Sequence, residues 1–368
     1  MADVTVLVLH PPLPVDAGPL AAALDAARRA LAHRHVRGFL AAGATTARVV
    51  EEAADEPFGA RLRRLAGAIE TPGLVVLGSG AAALARAGDY RDFVEAAASD
   101  APRALANNRY SADVIAVARA AVLAGVPDLP GDNALPRWLE EVAGWPVADL
   151  RRRPRLALDL DSPADVLLVG GRLPPVAAAS PLPARLADVR GTLADRRAEL
   201  VVAGRTSAGT LLVLERRARC RVRGLVEERG LRAGSRLAQA DRPVAQADPP
   251  LRPPRPPRSV LGLLLDRAGP DELGAILAEL GDAAVVDTRV LLAHRLGPDE
   301  RAWPGAEDRF ASDLLLPDRI EDAWLRALTA AAVRAPIPVV LGGHTLVGPG
   351  IRLLAERADR GAAGADGS

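Results

Sequence analysis

The stretch RPRLALDLDSPADVLLVG, residues 153–170, places Asp159, Asp161 and Asp165 close together, with Ser162 and Pro163 between them. Carboxylates at this density can hold a divalent cation. Mg²⁺ in particular takes one or two carboxylates and completes its shell with substrate phosphate oxygens. Asp159 and Asp161 are two apart, so in an extended strand they share a face. The carboxyl end of such a strand opens onto the crevice where α/β proteins bind ligands. The same residues also spell a helix start, with Asp161 or Ser162 as N-cap, Pro163 in the first turn and Asp165 favourable near the positive end. Spacing leaves both readings open, and Asp159 and Asp161 stand as candidate Mg²⁺ ligands.

Three further polar stretches carry candidate binding residues. In ALANNRYSADV (104–114), Asn107, Asn108, Arg109, Tyr110 and Ser111 lie between an apolar segment and an expected helix start. Backbone amides there, with Arg109, suit a phosphate or carboxylate, whereas a plain turn capped by Ser111 is the structural alternative. LVVAGRTSAGT (200–210) sets Arg205, Thr206, Ser207, Gly209 and Thr210 between an expected strand and helix, an anion-binding position without the full dinucleotide glycine spacing. VVLGGHTLVGPG (339–350) repeats that logic with Gly342, Gly343 and His344. There the glycines permit close backbone approach, and His344 is a candidate general acid or base.

Asp287, Arg289, Glu307, Asp308, Arg309 and Asp313 form a run of acids and arginines broken by apolar residues. If Asp287 ends a strand beside the Gly342 loop, a ligand crevice forms. Asp287, Glu307 and His344 would then share the acid and base roles, with Arg289 on the ligand. Structural ion pairs such as Asp308 with Arg289 are the alternative. His10, His33, His35 and His294 lack metal-ligand spacing, and His33 and His35 are expected on a helix surface. There is no Ser-His-Asp elbow, Walker loop or HExxH.

The elements that must position these residues alternate between strand and helix. In the first half the pattern predicts strands at 4–9, 73–78 and 104–108. It predicts helices at 17–42 (with a break near Gly38), 89–98 (capped by Asp89), 111–125 and 133–144, then a strand running into Asp159 and a helix from Ser162. The Pro-rich stretch within 171–198 reads as a linker followed by a helix. In the second half the pattern predicts strands at 199–204, 221–228, 259–266, 283–294 and 337–343, with helices after 205 and at 270–281, 318–334 and 349–358. Residues 233–258 read as a flexible Pro/Arg-rich loop and 359–368 as a disordered tail. Strands interleaved with helices predict α/β architecture in two domains, 1–170 and 199–358, the second a Rossmann-like three-layer domain.

Composition sets outer bounds. The chain has 368 residues, 49% hydrophobic and 25% charged, enough for two cores. Its 3% aromatic content leaves those cores to Leu, Val and Ala. Every strong cation is Arg, and with the abundant Ala, Gly and Pro this is the bias of a GC-rich bacterial genome. A net charge of +1 gives no global attraction to nucleic acid or to an acidic membrane. Cys220 is the only cysteine, which excludes an internal disulfide and a cysteine-rich zinc site and fits a reducing cytoplasm. The start, MADVTVLVLHPP, lacks the features of a signal peptide, and no apolar run is long enough for a membrane span.

DLDSPADVLL resembles the Asp-x-Asp-Thr-Pro-x-Asp-Leu segment near the end of nucleotidyltransferases of the molybdenum-cofactor guanylyltransferase and phospholactate guanylyltransferase type. GLVVLGSGAAALARAGDYRDFVEAA (73–97) is similar to that family's strand ending in Asp-x-Pro and the helix after it. The resemblance covers residues 1–170. It implies a GT-A-like, mostly parallel sheet, with Asp159 and Asp161 on the Mg²⁺ that bridges nucleotide phosphates. Two departures qualify it. The family's Gly-rich, Arg-containing loop after the first strand is here LHPPLPVDAGPL, and its mid-domain Asp is replaced within Gly78-Ser79-Gly80.

The expectation is therefore a nucleotidyltransferase-like protein, degenerate or active, that binds a nucleotide or phosphorylated metabolite with Mg²⁺ and orients it with Asn107, Asn108 and Arg109. One alternative is a non-catalytic protein that binds a small anion through Arg205, Thr206, Ser207, Gly342, Gly343 and His344. Another is an enzyme whose active site lies in the C-terminal domain.

Overall fold

The computed structural model describes residues 2–53, 55–129, 131–227 and 256–365. The chain divides into two compact units, Met1–Ala178 and Ala179–Ser368, and both are α/β.

In the first unit the strands are β1 (Ala2–Leu9), β2 (Ala44–Val50), β3 (Gly73–Gly78), β4 (Ala104–Ala106), β5 (Val114–Val117) and β6 (Val147–Asp149). They form one mixed sheet in the order β2-β1-β3-β5-β4-β6. β1 runs parallel to β2 and β3, and β5 is antiparallel to both β3 and β4. Alternation along the strands feeds two cores, one per face. Val4, Val6, Val8, Val75 and Leu77 pack with Phe39, Tyr90 and Phe93. Leu7, Leu74 and Val76 pack with Leu62, Leu123 and Leu139 on the other side.

The helices are α1 (Pro19–Ala41), α2 (Phe58–Gly67), α3 (Ala87–Ala97), α4 (Leu135–Glu141) and α5 (Pro163–Leu168). α1 runs unbroken through Gly38, where a glycine is needed for a packing reason: a Cβ there would lie 2.5 Å from the Tyr90 ring. Asp89 is not the cap of α3 but lies inside its first turn, buried and ion-paired with Arg153 and Arg155.

Two expected elements change type. Residues 111–125 are not a helix. Val114–Val117 form the fully buried strand β5, and only Ala120–Gly125 coil, as a 3-10 turn. The short β-branched run pairs on both edges inside the sheet, and that pairing overrides the helix-like Ala pattern downstream. The stretch into Asp159 is not a strand either. Pro154–Ala157 form a 3-10 turn, after which the chain runs beside residues 80–83, with Ala83 N on Leu158 O at 2.7 Å and Leu160 N on Gly80 O at 2.9 Å. Ser162 does cap α5, and Asp165 completes the capping box.

The second unit holds β7 (Glu199–Gly204), β8 (Arg221–Val226), β9 (Ala283–Asp287) and β10 (Val339–Gly342), ordered β10-β9-β7-β8 and all parallel. Its helices are α6 (Leu182–Ala194), α7 (Ala208–Arg217), α8 (Val260–Ala268), α9 (Leu273–Ala278), α10 (Thr288–Leu296), α11 (Ala306–Asp313), α12 (Ala323–Arg334) and α13 (Ile351–Ala365).

Residues 259–266, expected as a strand, are helical. Ser259 caps α8, and Leu261 and Leu265, four apart, bury one face while Leu263 and Leu264 stay exposed. Residues 283–294 are a strand only to Asp287, whose carboxylate caps α10 by accepting from Arg289 N. Residues 359–365, expected as tail, belong to α13, and 233–255 of the expected loop lie outside the described residues. Among the described residues, no helix is long and apolar enough to cross a membrane.

Candidate functional site

The antiparallel strand of the first sheet creates the site. β1 and β3 end at Leu9 and Gly78, and β5 begins beside those ends because it runs the other way. The residue before β5, Asp113, therefore lies at the carboxyl edge, where Gly78 N donates to its carbonyl at 3.3 Å. Asn107 holds it there. The Asn107 amide donates to Asp113 Oδ2 at 3.0 Å and to Leu156 O at 3.1 Å, and its Oδ1 accepts from Asp113 N and Val114 N. Every group of this buried side chain is occupied by the protein, so Asn107 supports the site and does not meet a ligand.

Asp159 reaches the same point from the other side. Its Oδ1 accepts from Ala82 N at 2.9 Å, and it is hydrogen-bonded to Asp113. Burial, then the charges of Asp113 and Asp161, push the Asp159 carboxyl well above the usual carboxylate range. Burial also raises Asp113, to about 6, with Asp132 and Asp161 adding to the shift. Asp132 is raised as well, chiefly by burial. Burial and the facing negative charge both favour the protonated form of this pair.

Asp161 does not stand beside Asp159 on one strand face as its spacing suggested. Its side chain is 66% exposed and lies 3.5 Å from Arg28 Nη2, whose Nε donates to Leu160 O at 2.6 Å. Both acids still contribute to one negative field. Among the described residues, no three His, Cys, Asp or Glu side chains are arranged to hold a metal ion by themselves.

The edge continues over the ends of β1 and β3. His10 Nδ1 lies 3.0 Å from Ser79 Oγ, while Nε2 is 3.2 Å from Asp25 Oδ1 but has no hydrogen bond. Burial lowers the His10 pKa, so the ring is neutral. Residues 11–16, which follow β1, are exposed. Positive charge at this edge comes instead from α1, as Arg28 and as Arg29, which pairs with Glu51.

The other residues of 107–111 form a turn. Asn108 Oδ1 accepts from Tyr110 N at 3.1 Å, Ser111 N donates to Asn108 O, and no helix starts there for Ser111 to cap. Arg109 pairs with Glu140, and Tyr110 is exposed between the guanidinium groups of Arg109 and Arg151.

In the second unit the expected residues do gather. Register places Asp287 opposite Gly342, with Gly204 at the same edge. Arg205 grips buried Asp287 through Nε at 2.6 Å and Nη2 at 3.1 Å. Arg289 pairs with buried Asp313, not with Asp308, whose carboxylate accepts from Glu321 N and Asp322 N. With its oxygens on Arg205 and Arg289 N, Asp287 is engaged in structure and not poised as a base. Glu307 sits in the first turn of α11. Gly343 lies beside the Arg289 side chain with room for a Cβ, His344 is exposed with Nδ1 donating to Arg205 O at 2.9 Å, and Ser207 and Thr210 bond each other at the start of α7.

Of the remaining histidines, His35 is buried and not on a surface. Its Nε2–H donates to Ala81 O and its Nδ1 accepts from Tyr90 OH, and burial lowers its pKa to about 4. His294 is buried against Ser259 and Asp266.

The residues that sequence reasoning passed over are Asp113, Asp132 and Arg28. The available signal was an acid directly before the β-branched run VIAV, which marks a strand entry once that run is read as a strand. No family model matches the chain, and neither does any curated protein or solved structure.

Proposed function

We propose that the N-terminal unit binds a nucleotide or phosphorylated metabolite together with Mg²⁺ at the Asp113–Asp159 pair. The observation that carries this reading is the pair itself: two carboxyls hydrogen-bonded at the carboxyl edge of the sheet, both with raised pKa and neither held by an arginine. Structural acids in this chain, such as Asp89 and Asp313, are instead matched to guanidinium groups.

The donor set fits the ion. Mg²⁺ takes one or two carboxylates and leaves other positions to phosphate oxygens and water, and here two carboxylates stand together without a third protein ligand. Asp113 and Asp159 would hold it, while Asn107 and Ala82 N fix their orientation. When bound, the ion would neutralise phosphate charge and orient the phosphates. Arg28 and Arg29 supply the positive charge that the 10–18 loop lacks. The resemblance of DLDSPADVLL to nucleotidyltransferases supports nucleotidyl transfer as the reaction class, with positioning and charge neutralisation as its means.

A thermal-shift screen of nucleoside triphosphates with and without Mg²⁺ tests this. At least one should stabilise the chain only when Mg²⁺ is present. Asp159→Asn, which removes the carboxylate and keeps the side-chain shape, should fold and lose that response. Absence of any nucleotide response in the wild type would refute the reading.

A further inference from the structure

From β7 the chain crosses to β8 on one side of the second sheet, and it later returns to β9 on the other. The carboxyl ends of β7 and β9 therefore form a topological switch point, the place where open parallel sheets bind ligands. Gly204 ends β7 at φ +127°, and a Cβ on it would lie 2.3 Å from Asp287 Cβ, so the two strand ends meet in contact. The Arg205–Asp287 ion pair joins them, and His344 ties in the third strand end through its bond to Arg205 O.

Two features of this edge are not accounted for by structure. Ser207, Ala208 and Gly209 open the ten-residue helix α7 and are exposed, and the first amides of a helix have no partner within it. Thr206, just before them, is only 8% exposed, and its buried Oγ1 has no hydrogen-bond partner. A buried hydroxyl without a partner is destabilising unless something fills its place.

We propose that this crevice binds the phosphoryl group of a small molecule, separately from the site in the N-terminal unit. The amides of Ser207, Ala208 and Gly209 and the Thr206 hydroxyl would donate to phosphoryl oxygens at the positive end of α7. His344 stands at the rim. Its Nδ1 is bonded to Arg205 O, which leaves Nε2 as the ring nitrogen for a phosphoryl oxygen or hydroxyl. A phosphoryl group fits better than a carboxylate. Arg205 and Arg289 are engaged by Asp287 and Asp313, so the donors offered are single N–H and O–H groups spread around a point, not a guanidinium fork.

The imidazole NMR resonances of the full chain, which has five histidines, test this by titration with inorganic phosphate and, at matched ionic strength, with acetate. The His344 resonance, assigned by His344→Gln, should move saturably with phosphate and not with acetate. Thr206→Val should weaken phosphate binding about fivefold while leaving the melting temperature of the free protein unchanged or higher. Asp113→Asn should leave phosphate binding in place, which separates this site from the other one. A His344 resonance indifferent to phosphate, or equally responsive to acetate, would overturn the proposal, as would a Thr206→Val variant that binds phosphate as tightly as the wild type.

Discussion

Single side chains in the first unit respond to protons in opposite directions. His35 is buried and neutral, with a pKa lowered to about 4, whereas in the unfolded chain it titrates near its ordinary value of 6.5. A base whose folded pKa is depressed loses stability as pH falls through that window. Acidification from about 6.5 to 4 should therefore cost the first unit on the order of 3 kcal/mol through this residue. The Asp113 pKa is raised to about 6, so its contribution is largest at low pH and is lost as pH rises through that value, and Asp159 is raised in the same direction. Urea titrations across pH 4–7 without divalent cations should separate the two effects. His35→Leu should remove the acid-side loss, and Asp113→Asn the loss on the alkaline side.

Helix caps and strand ends account for several residues that looked chemical in the sequence. Ser162 and Asp165 form a capping box, so Ser162→Ala should destabilise by about 1 kcal/mol without changing any Mg²⁺ response, because the Ser162 hydroxyl is spent on Ala164 N in the first turn of α5. Asp287 does two structural jobs, capping α10 and holding Arg205. Asp287→Ala removes both the cap and the buried end of the ion pair and should cost about 3 kcal/mol, read as a lower denaturant midpoint. Strand and helix types were legible where the pattern was long: β1, β3, β7, α1 and α12 fall close to where hydrophobic runs place them. Short runs were ambiguous. VIAV became a strand because it pairs with β3 and β4, and VLGLLLD became a helix because only one of its faces meets the core.

At the scale of the whole molecule, the chain forms two compact units that divide between Ala178 and Ala179. Each has its own sheet and core, and among the described residues no strand of one pairs with a strand of the other. Residues 1–178 expressed alone should therefore unfold in one cooperative transition, with the pH response described for His35, as followed by circular dichroism on heating. A fragment without cooperative melting would show that its core depends on the rest of the chain.

Composition and periodicity alone determined an α/β protein with cores of small aliphatic side chains, because hydrophobic spacing is a property of adjacent residues. They also marked Asp159 and the strand-to-helix turns at 204–210 and 339–350, where polar and glycine residues interrupt apolar runs. They could not reveal that Asp159 faces Asp113, that Asn107 is spent on holding that partner, or that Arg205 and Asp287 satisfy each other. Asp113 and Asp159 are 46 positions apart, and Arg205 and Asp287 are 82 apart. Such distances are closed only by strand order and direction. The antiparallel run of β5 carries Asp113 to the carboxyl edge, and the β7–β9 pairing brings Asp287 to Arg205. Tertiary structure therefore decided which polar residues the protein itself engages.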